Sequence, residues 1–335
     1  MGLNNMNLRL NYFFIFFLVT VMNLCAFAQG QGIDKVGTTS FQFLKVMPDA
    51  RSTAMGEAFT SVVNTSDAVF WNPAALTRVS GTDIASSYVD WLLDISHFSL
   101  SAAYSIENVG TFGLQANLSD MGQIEETRVD HLYRDEELGI YNPGLTGNLV
   151  KPGSMAFGLS YAKMLTERFS FGLTVKYARE DLVVKSTSSI IFDVGVLYDT
   201  GYKSLVLSAV LRHFGPQVKF HNKSYPLPQT FTIGVSAFLI APESSFLFDS
   251  EENKLLFSYD LSQPRDYSQQ HHLGMEYAFR DILFLRGGYK LNFDEEGFTY
   301  GFGISYTGIR IDYSYSDFGE FLNAVHRFSV GFGID

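Results

Sequence analysis

The chain has 335 residues, a formal net charge of -11 and one cysteine. The acidic excess excludes nucleic acid as a partner, and a lone cysteine, Cys25, excludes an internal disulfide or a thiolate metal cluster. An aromatic content of 15% with 29 glycines exceeds what a soluble domain uses and suits a sheet whose Tyr, Phe and Trp girdles meet lipid.

Arg9 precedes an apolar run from Tyr12 to Met22, and Ala26-Phe27-Ala28 places small residues where a signal peptidase cuts. Residues 1–28 are therefore expected to be a cleaved signal peptide, because the run falls short of the ~20 residues a membrane helix needs. Leu24 is too bulky for lipoprotein processing at Cys25, so the mature chain is expected to hold no cysteine nucleophile.

Residues 29–82 are expected to form a separate N-terminal hatch, since no strand alternation runs through 33–82. Phe41-Gln42-Phe43-Leu44, Asp49 to Gly56 and Trp71 to Leu76 read as short helices and turns. Asn72 is a good helix cap, Pro73 a good first helical residue whose missing N–H goes unnoticed there, and Ala74 follows. By residue chemistry alone this is an ordinary helix start.

From about residue 84 to the end, large apolar side chains alternate with small or polar ones. Phe298, Tyr300, Phe302, Ile304 and Tyr306 are separated by Thr299, Gly301, Gly303 and Ser305, and the same rhythm reaches Ile334. About fourteen strands are predicted, at 84–91, 95–106, 109–119, 155–165, 168–180, 189–199 and 203–213, then 230–240, 254–261, 270–279, 282–291, 297–306, 308–316 and 325–334. The fold class is all-β: a roughly 14-stranded antiparallel transmembrane β-barrel over 83–335, in the outer membrane of a Gram-negative cell, with a short N-terminal helical hatch. Connections alternate tight and long, with the tight ones expected in the periplasm. Two break the rule: 91–94 is short where an outer loop is due, and 241–253 is long where an inner turn is due, so either could mark a misplaced strand.

Lys176, Arg212, Glu276, Arg286, Lys290, Arg310, Asp312 and Arg327 fall on the lumen side of this pattern, because a charge facing lipid costs ~2 to 4 kcal/mol at mid-depth. Salt bridges within the lumen and contacts to the hatch are the simplest use of them. The small inward residues Ser99, Ser101, Ala103 and Ser105 leave room for a plug. No catalytic set, metal site or cofactor motif is found. His271 and His272 are strand neighbours that point to opposite faces, the acidic run from Glu125 to Glu137 lacks calcium-loop spacing, and no nucleotide loop or nucleophile elbow occurs. Surface candidates for a partner are an exposed apolar tip, Trp91, Leu92 and Leu93, and the loop aromatics Tyr133, Tyr141, Phe220 and Tyr225 in the long connections 120–154 and 214–229.

The segments Phe41-Gln42-Phe43-Leu44-Lys45, Ala50 to Phe59 and Trp71-Asn72-Pro73-Ala74-Ala75-Leu76 resemble the N-terminal motifs of the PorV/PorQ family of Bacteroidota outer-membrane proteins. Leu159 to Lys163, Thr174 to Tyr177, Leu285 to Lys290, Asp294 to Gly297, Tyr315 to Gly319 and Val325 to Ser329 extend the likeness. The Asn-Pro-Ala triplet at 72–74 also resembles the hatch motif of FadL-type fatty acid transporters. Both resemblances imply a fourteen-stranded barrel with a hatch. The first implies a part in type IX secretion: a PorV-like carrier binding the translocon barrel and cargo C-terminal signal domains, or a PorQ-like member of the attachment complex. The second implies transport of hydrophobic small molecules. The inward positions are mainly Ser, Gly, Thr, Ala and charges, and Val206, Val210 and Phe238 are too few to line a long acyl chain. Partners expected are outer-membrane lipid and lipopolysaccharide together with that secretion machinery.

Overall fold

The computed structural model describes residues 35–334 except 136, 138, 221, 320 and 321; the expected signal peptide lies outside the described residues. The main sheet has 15 strands, one of them the two-residue parallel addition Phe248–Asp249. The others are β1 (Thr82–Asp90), β2 (Ser96–Ile106), β3 (Gly110–Asp120), β4 (Gly153–Thr166), β5 (Phe169–Asp181), β6 (Ser186–Asp199) and β7 (Val206–Phe214). They continue as β8 (Thr230–Ala241), β9 (Asn253–Pro264), β10 (Gln270–Phe279), β11 (Leu283–Leu291), β12 (Phe298–Tyr306), β13 (Ile309–Ser316) and β14 (Val325–Ile334). Each is antiparallel to the next, and β1 pairs with β14 from Thr82↔Ile334 to Asp90↔His326, so the sheet closes on itself. Among the described residues no helix is long and apolar enough to cross a membrane; strands make the crossing.

Side-chain alternation produces the two faces. Phe298, Tyr300, Phe302, Ile304 and Tyr306 of β12 are exposed outward, while Thr299 is buried inward. Aromatic residues crowd the outer face of β11–β14, where Tyr300 stacks on Tyr315 with centroids 4.7 Å apart and Tyr313 packs on Phe302 and Phe328. Inward, Ser99, Ser101 and Ala103 are buried.

One end of the barrel carries the tight turns and both ends of the sheet's chain, Thr82 and Ile334; by the usual polarity of such barrels it faces the periplasm. The connection at 91–94 is one 3-10 turn, Leu92–Asp94, and 241–253 is an ordered inner turn in which Phe246 N–H donates to Phe238 O and Ser250 N–H to Ala241 O. Neither marks a misplaced strand. The outer connection expected as a loop at 120–154 is instead an antiparallel hairpin of its own, Ile124–Asp135 paired with Ile140–Val150. One irregularity matters inside. The register between β6 and β7 shifts between Phe192 and Val194, and His213 takes φ 58. Alternation alone would send His213 outward beside inward Arg212; the bulge buries both.

Candidate functional site

The lumen is filled by residues 35–81, which run from the outer mouth down to the start of β1. At the mouth, Lys35 N–H donates to Asp266 O and Ser40 N–H to Pro226 O. Phe41, Phe43 and Leu44 pack on Ala156, Ala178 and Ile191 of β4–β6, next to Val218 and Leu227. Asp266 clamps this end by accepting from Thr39 Oγ1 at 2.7 Å and pairing with Lys45 at 2.5 Å. Lower down, Asp49 caps the helix Ala50–Ala54, accepting from Ser52 N–H at 2.8 Å, and its other oxygen accepts from Trp71 Nε1 at 2.7 Å. Asp260 of β9 accepts the N–H groups of Phe59 and Thr60 at 3.0 and 2.9 Å. Asp260 on the wall thus supplies an acceptor for plug N–H groups that have no helical partner.

Asn72 is fully buried at the inner end of this path. Its Oδ1 accepts from Ala74 N–H at 3.0 Å, and its Nδ2 donates to Thr60 O at 3.0 Å and to Val196 O on β6 at 3.2 Å. Pro73 opens a 3-10 helix, Pro73–Arg78, preceded by the helical turn Ala68–Trp71. Ala74 and Leu76 are buried in a cluster with Phe59, Val69 and Trp71. The strands approach closely enough here that glycine is required. A Cβ on Gly195 would collide with Asn72 Oδ1, one on Gly172 with Pro73 and Ala74, and one on Gly288 with Gly56.

The inward charges are mostly paired. Lys176 meets Asp193 at 2.6 Å, Arg286 bridges Glu276 and Asp312 at 2.6 Å each, Arg310 meets Asp83 at 2.7 Å, and Lys290 pairs with Glu57 and Glu296. Arg51 of the plug joins Glu276 at 2.8 Å. Arg212 and Arg327 are different. Both are buried, and among the described residues neither has a carboxylate within salt-bridge distance. Arg327 donates to Met47 O and Ser316 Oγ at 3.1 Å each, and Arg212 to Met47 Sδ at 3.4 Å. A cavity of about 520 Å³ lies above them at the outer mouth, and a smaller one of about 340 Å³, lined by Arg51, Glu276, Arg286 and Arg310, opens near the inner end. Among the described residues no group of His, Cys, Asp and Glu is arranged to hold a metal.

The surface candidates are scattered. Trp91 turns inward and packs edge-on to Phe318 at 5.3 Å beneath the Arg327 guanidinium, and Leu92 is half-buried against the same cluster of Val89, Phe318 and Val325. Only Leu93 stands out, 81% exposed, so the expected three-residue tip is a single side chain; the apolar cluster inside the mouth captured the other two. Tyr133 and Tyr141 are exposed on the outer hairpin, with Tyr133 OH donating to Asp135. Tyr225 is partly exposed in a short pairing with Val218, whereas Phe220 is half-buried against the Phe41 cluster rather than displayed. His271 faces outward, bonded to Tyr259 OH, and His272 inward, bonded to Gly56 O. The sequence reading missed Asp260 and Asp266. A lone carboxylate at an inward strand position and another just beyond the strand's end are the signals that mark them.

Comparison with known proteins matches this geometry. No curated protein sequence matches the chain. The toluene transporter TbuX of Ralstonia pickettii superimposes with a TM-score of 0.54 at 12% identity, covering 85% of this chain and 98% of that one. The toluene transporter TodX of Pseudomonas putida gives 0.55 at 13%, covering 84% and 95%. A FadL homologue of Pseudomonas aeruginosa gives 0.52 at 11%, covering 86% and 98%. At such identities the likeness is one of fold: a FadL-like outer-membrane barrel. The family model described as type IX secretion system protein PorV matches residues 29–200. The chain, an outer-membrane β-barrel with a plugged lumen, belongs to the PorV family of type IX secretion.

Proposed function

We propose that this protein is a noncatalytic carrier of the type IX secretion system, which holds the C-terminal signal domain of cargo at its outer rim while bound to the translocon barrel. The observation that carries the reading is the outer hairpin Ile124–Asp135 with Ile140–Val150. Among the described residues its two strands pair with each other and with no other strand, so each presents an edge to a β-rich partner. Val129, Tyr141 and Leu149 are among its exposed apolar side chains. Its base is pinned: Glu126 is held at about 2 by hydrogen bonds from Asn148, Arg128 and Thr146. Leu93 and Tyr225 flank the same rim. Cleavage after Ala28 would release the chain to the outer membrane, where its aromatic face meets lipid and its rim lipopolysaccharide.

The filled lumen supports a carrier over a transporter, because Asn72, Trp71 and Phe59 leave the barrel axis occupied by buried side chains. Affinity purification in mild detergent, with mass spectrometry, tests the reading. The intact protein should recover the translocon barrel and proteins bearing C-terminal secretion signals, and a variant with 124–150 replaced by a short glycine-serine turn should fold but lose the cargo. Isolation of a lone barrel retaining a hydrophobic small molecule would favour the transporter.

A further inference from the structure

The inward wall of β2–β4 carries polar groups that the plug does not answer. Pairing in register stacks them in tiers about 7 Å apart. The uppermost tier is His97, Ser119 and Ser154, the next Ser99 and Asn117, and the third Ser101 and Gln115. All are buried, yet His97 Nδ1, Ser154 Oγ, Asn117 Oδ1 and Gln115 Nε2 have no hydrogen-bond partner among the described residues. Across the lumen the plug bonds directly to the wall: Thr53 to Ser314 at 2.8 Å, Gly56 N–H to Thr299 at 3.0 Å and Arg51 to Glu276 at 2.8 Å. A buried polar atom without a protein partner is costly unless water answers it. Small neighbours leave room for that: Gly158 stands beside Gln115 in the third tier, where a Cβ would lie 2.7 Å from Gln115 Nε2.

Both ends of this strip meet a cavity. His97 and Ser119 line the outer one. At the lower end Ser101 Oγ lies 2.9 Å from Ser66 Oγ and donates to Asp67 at 2.8 Å, and Asp67 lines the inner cavity with Thr65. One tier further down the wall is dry, since a Cβ on Gly113 would touch Val69 and Leu76, and Ala103 belongs to their apolar cluster. The polar path therefore leaves the wall at Ser101 and crosses to the plug.

We propose that a file of water runs along this strip from one cavity to the other, so that the barrel conducts water across the membrane while holding back ions. Gln115 Nε2 donates, Asn117 Oδ1 accepts and Ser154 Oγ does both, an assortment that suits a molecule able to do both. The Ser, Asn and Gln side chains of the tiers carry no charge to replace the hydration shell of an ion, which is expensive to strip. The plug keeps the axis and the water follows the wall. This activity is independent of the rim hairpin and stands or falls without it.

Full-length protein in liposomes is given a sucrose shock, and shrinkage is followed by stopped-flow light scattering with planar-bilayer recording alongside. Shrinkage should be faster than in protein-free liposomes of the same lipid, with no steady current. Asn117→Leu, which sets an apolar side chain across the second tier, should lose the increment at equal protein recovered in the vesicles. A misfolded, leaky barrel would gain permeability, so a loss reports on the strip itself. Should Asn117→Leu fail to insert, Gln115→Met makes the same test one tier down. Shrinkage no faster than in protein-free liposomes would overturn the proposal. So would an increment that the inserted variant keeps, which would route the water elsewhere, or an ionic current that accompanies it.

Discussion

Asn72 shows how much one side chain holds at the inner end of the lumen. It caps the Pro73–Arg78 turn and bonds both to the plug at Thr60 and to the wall at Val196. Asn72→Leu should lower stability by about 2 kcal/mol, since a cap and two buried acceptors lose their partner together; denaturant unfolding followed by Trp71 fluorescence measures it, and an unmoved midpoint would refute the role. Gly288→Ala tests the wall from the other side. Its new methyl meets Gly56, and overpacking of about 1 to 3 kcal/mol is expected by the same measurement. Asp266 at the outer clamp gives a pH dependence. Burial pushes its carboxyl up, but hydrogen bonds from Lys45 and Thr39 outweigh this and hold it below the usual range. A depressed folded value means that the clamp is at full strength above the unfolded pKa of about 3.9 and is lost as pH falls through the folded value. Amide exchange across 35–45, corrected for intrinsic rate, should therefore stay level down to about pH 4 and rise below it, and Asp266→Asn should abolish that rise.

At the scale of elements, the strands were legible because period-two alternation is a local signal. Lipid on one side and a packed lumen on the other impose it on all of β1–β14. The hairpin at 124–150 was not legible. Its residues are exposed on both faces, so Ile124, Val129 and Leu132 carry no buried phase to set the rhythm. The inward turns of Trp91 and Phe220 were hidden for a related reason: what captures them, Phe318 and the Phe41 cluster, lies far off in sequence. Asn72 and Pro73 could be read as a helix start, but Val196 as an acceptor could not, since only closure of the barrel brings β6 to the plug. Lys176, Glu276, Arg286 and Arg310 could be placed in the lumen by cost alone, while their pairing scheme required the register.

At the scale of the whole molecule, the occupied lumen predicts electrical silence. Planar-bilayer recordings of the purified protein should show no large, steady conductance, whereas a chain lacking 35–78 should form open pores if it closes; steady porin-like current from the intact protein would contradict the packing seen here. The sealing of β1 against β14 has a further consequence, for the order of assembly. Ala50 N–H donates to Ser329 across 279 residues, and Arg327 donates to Met47 O across 280. The N-terminal plug thus finds hydrogen-bond partners in the last strand of the barrel to be made. Contacts of such separation form late and slowly. A chain truncated before β14 therefore loses these two hydrogen bonds to the plug together with the β1–β14 seam.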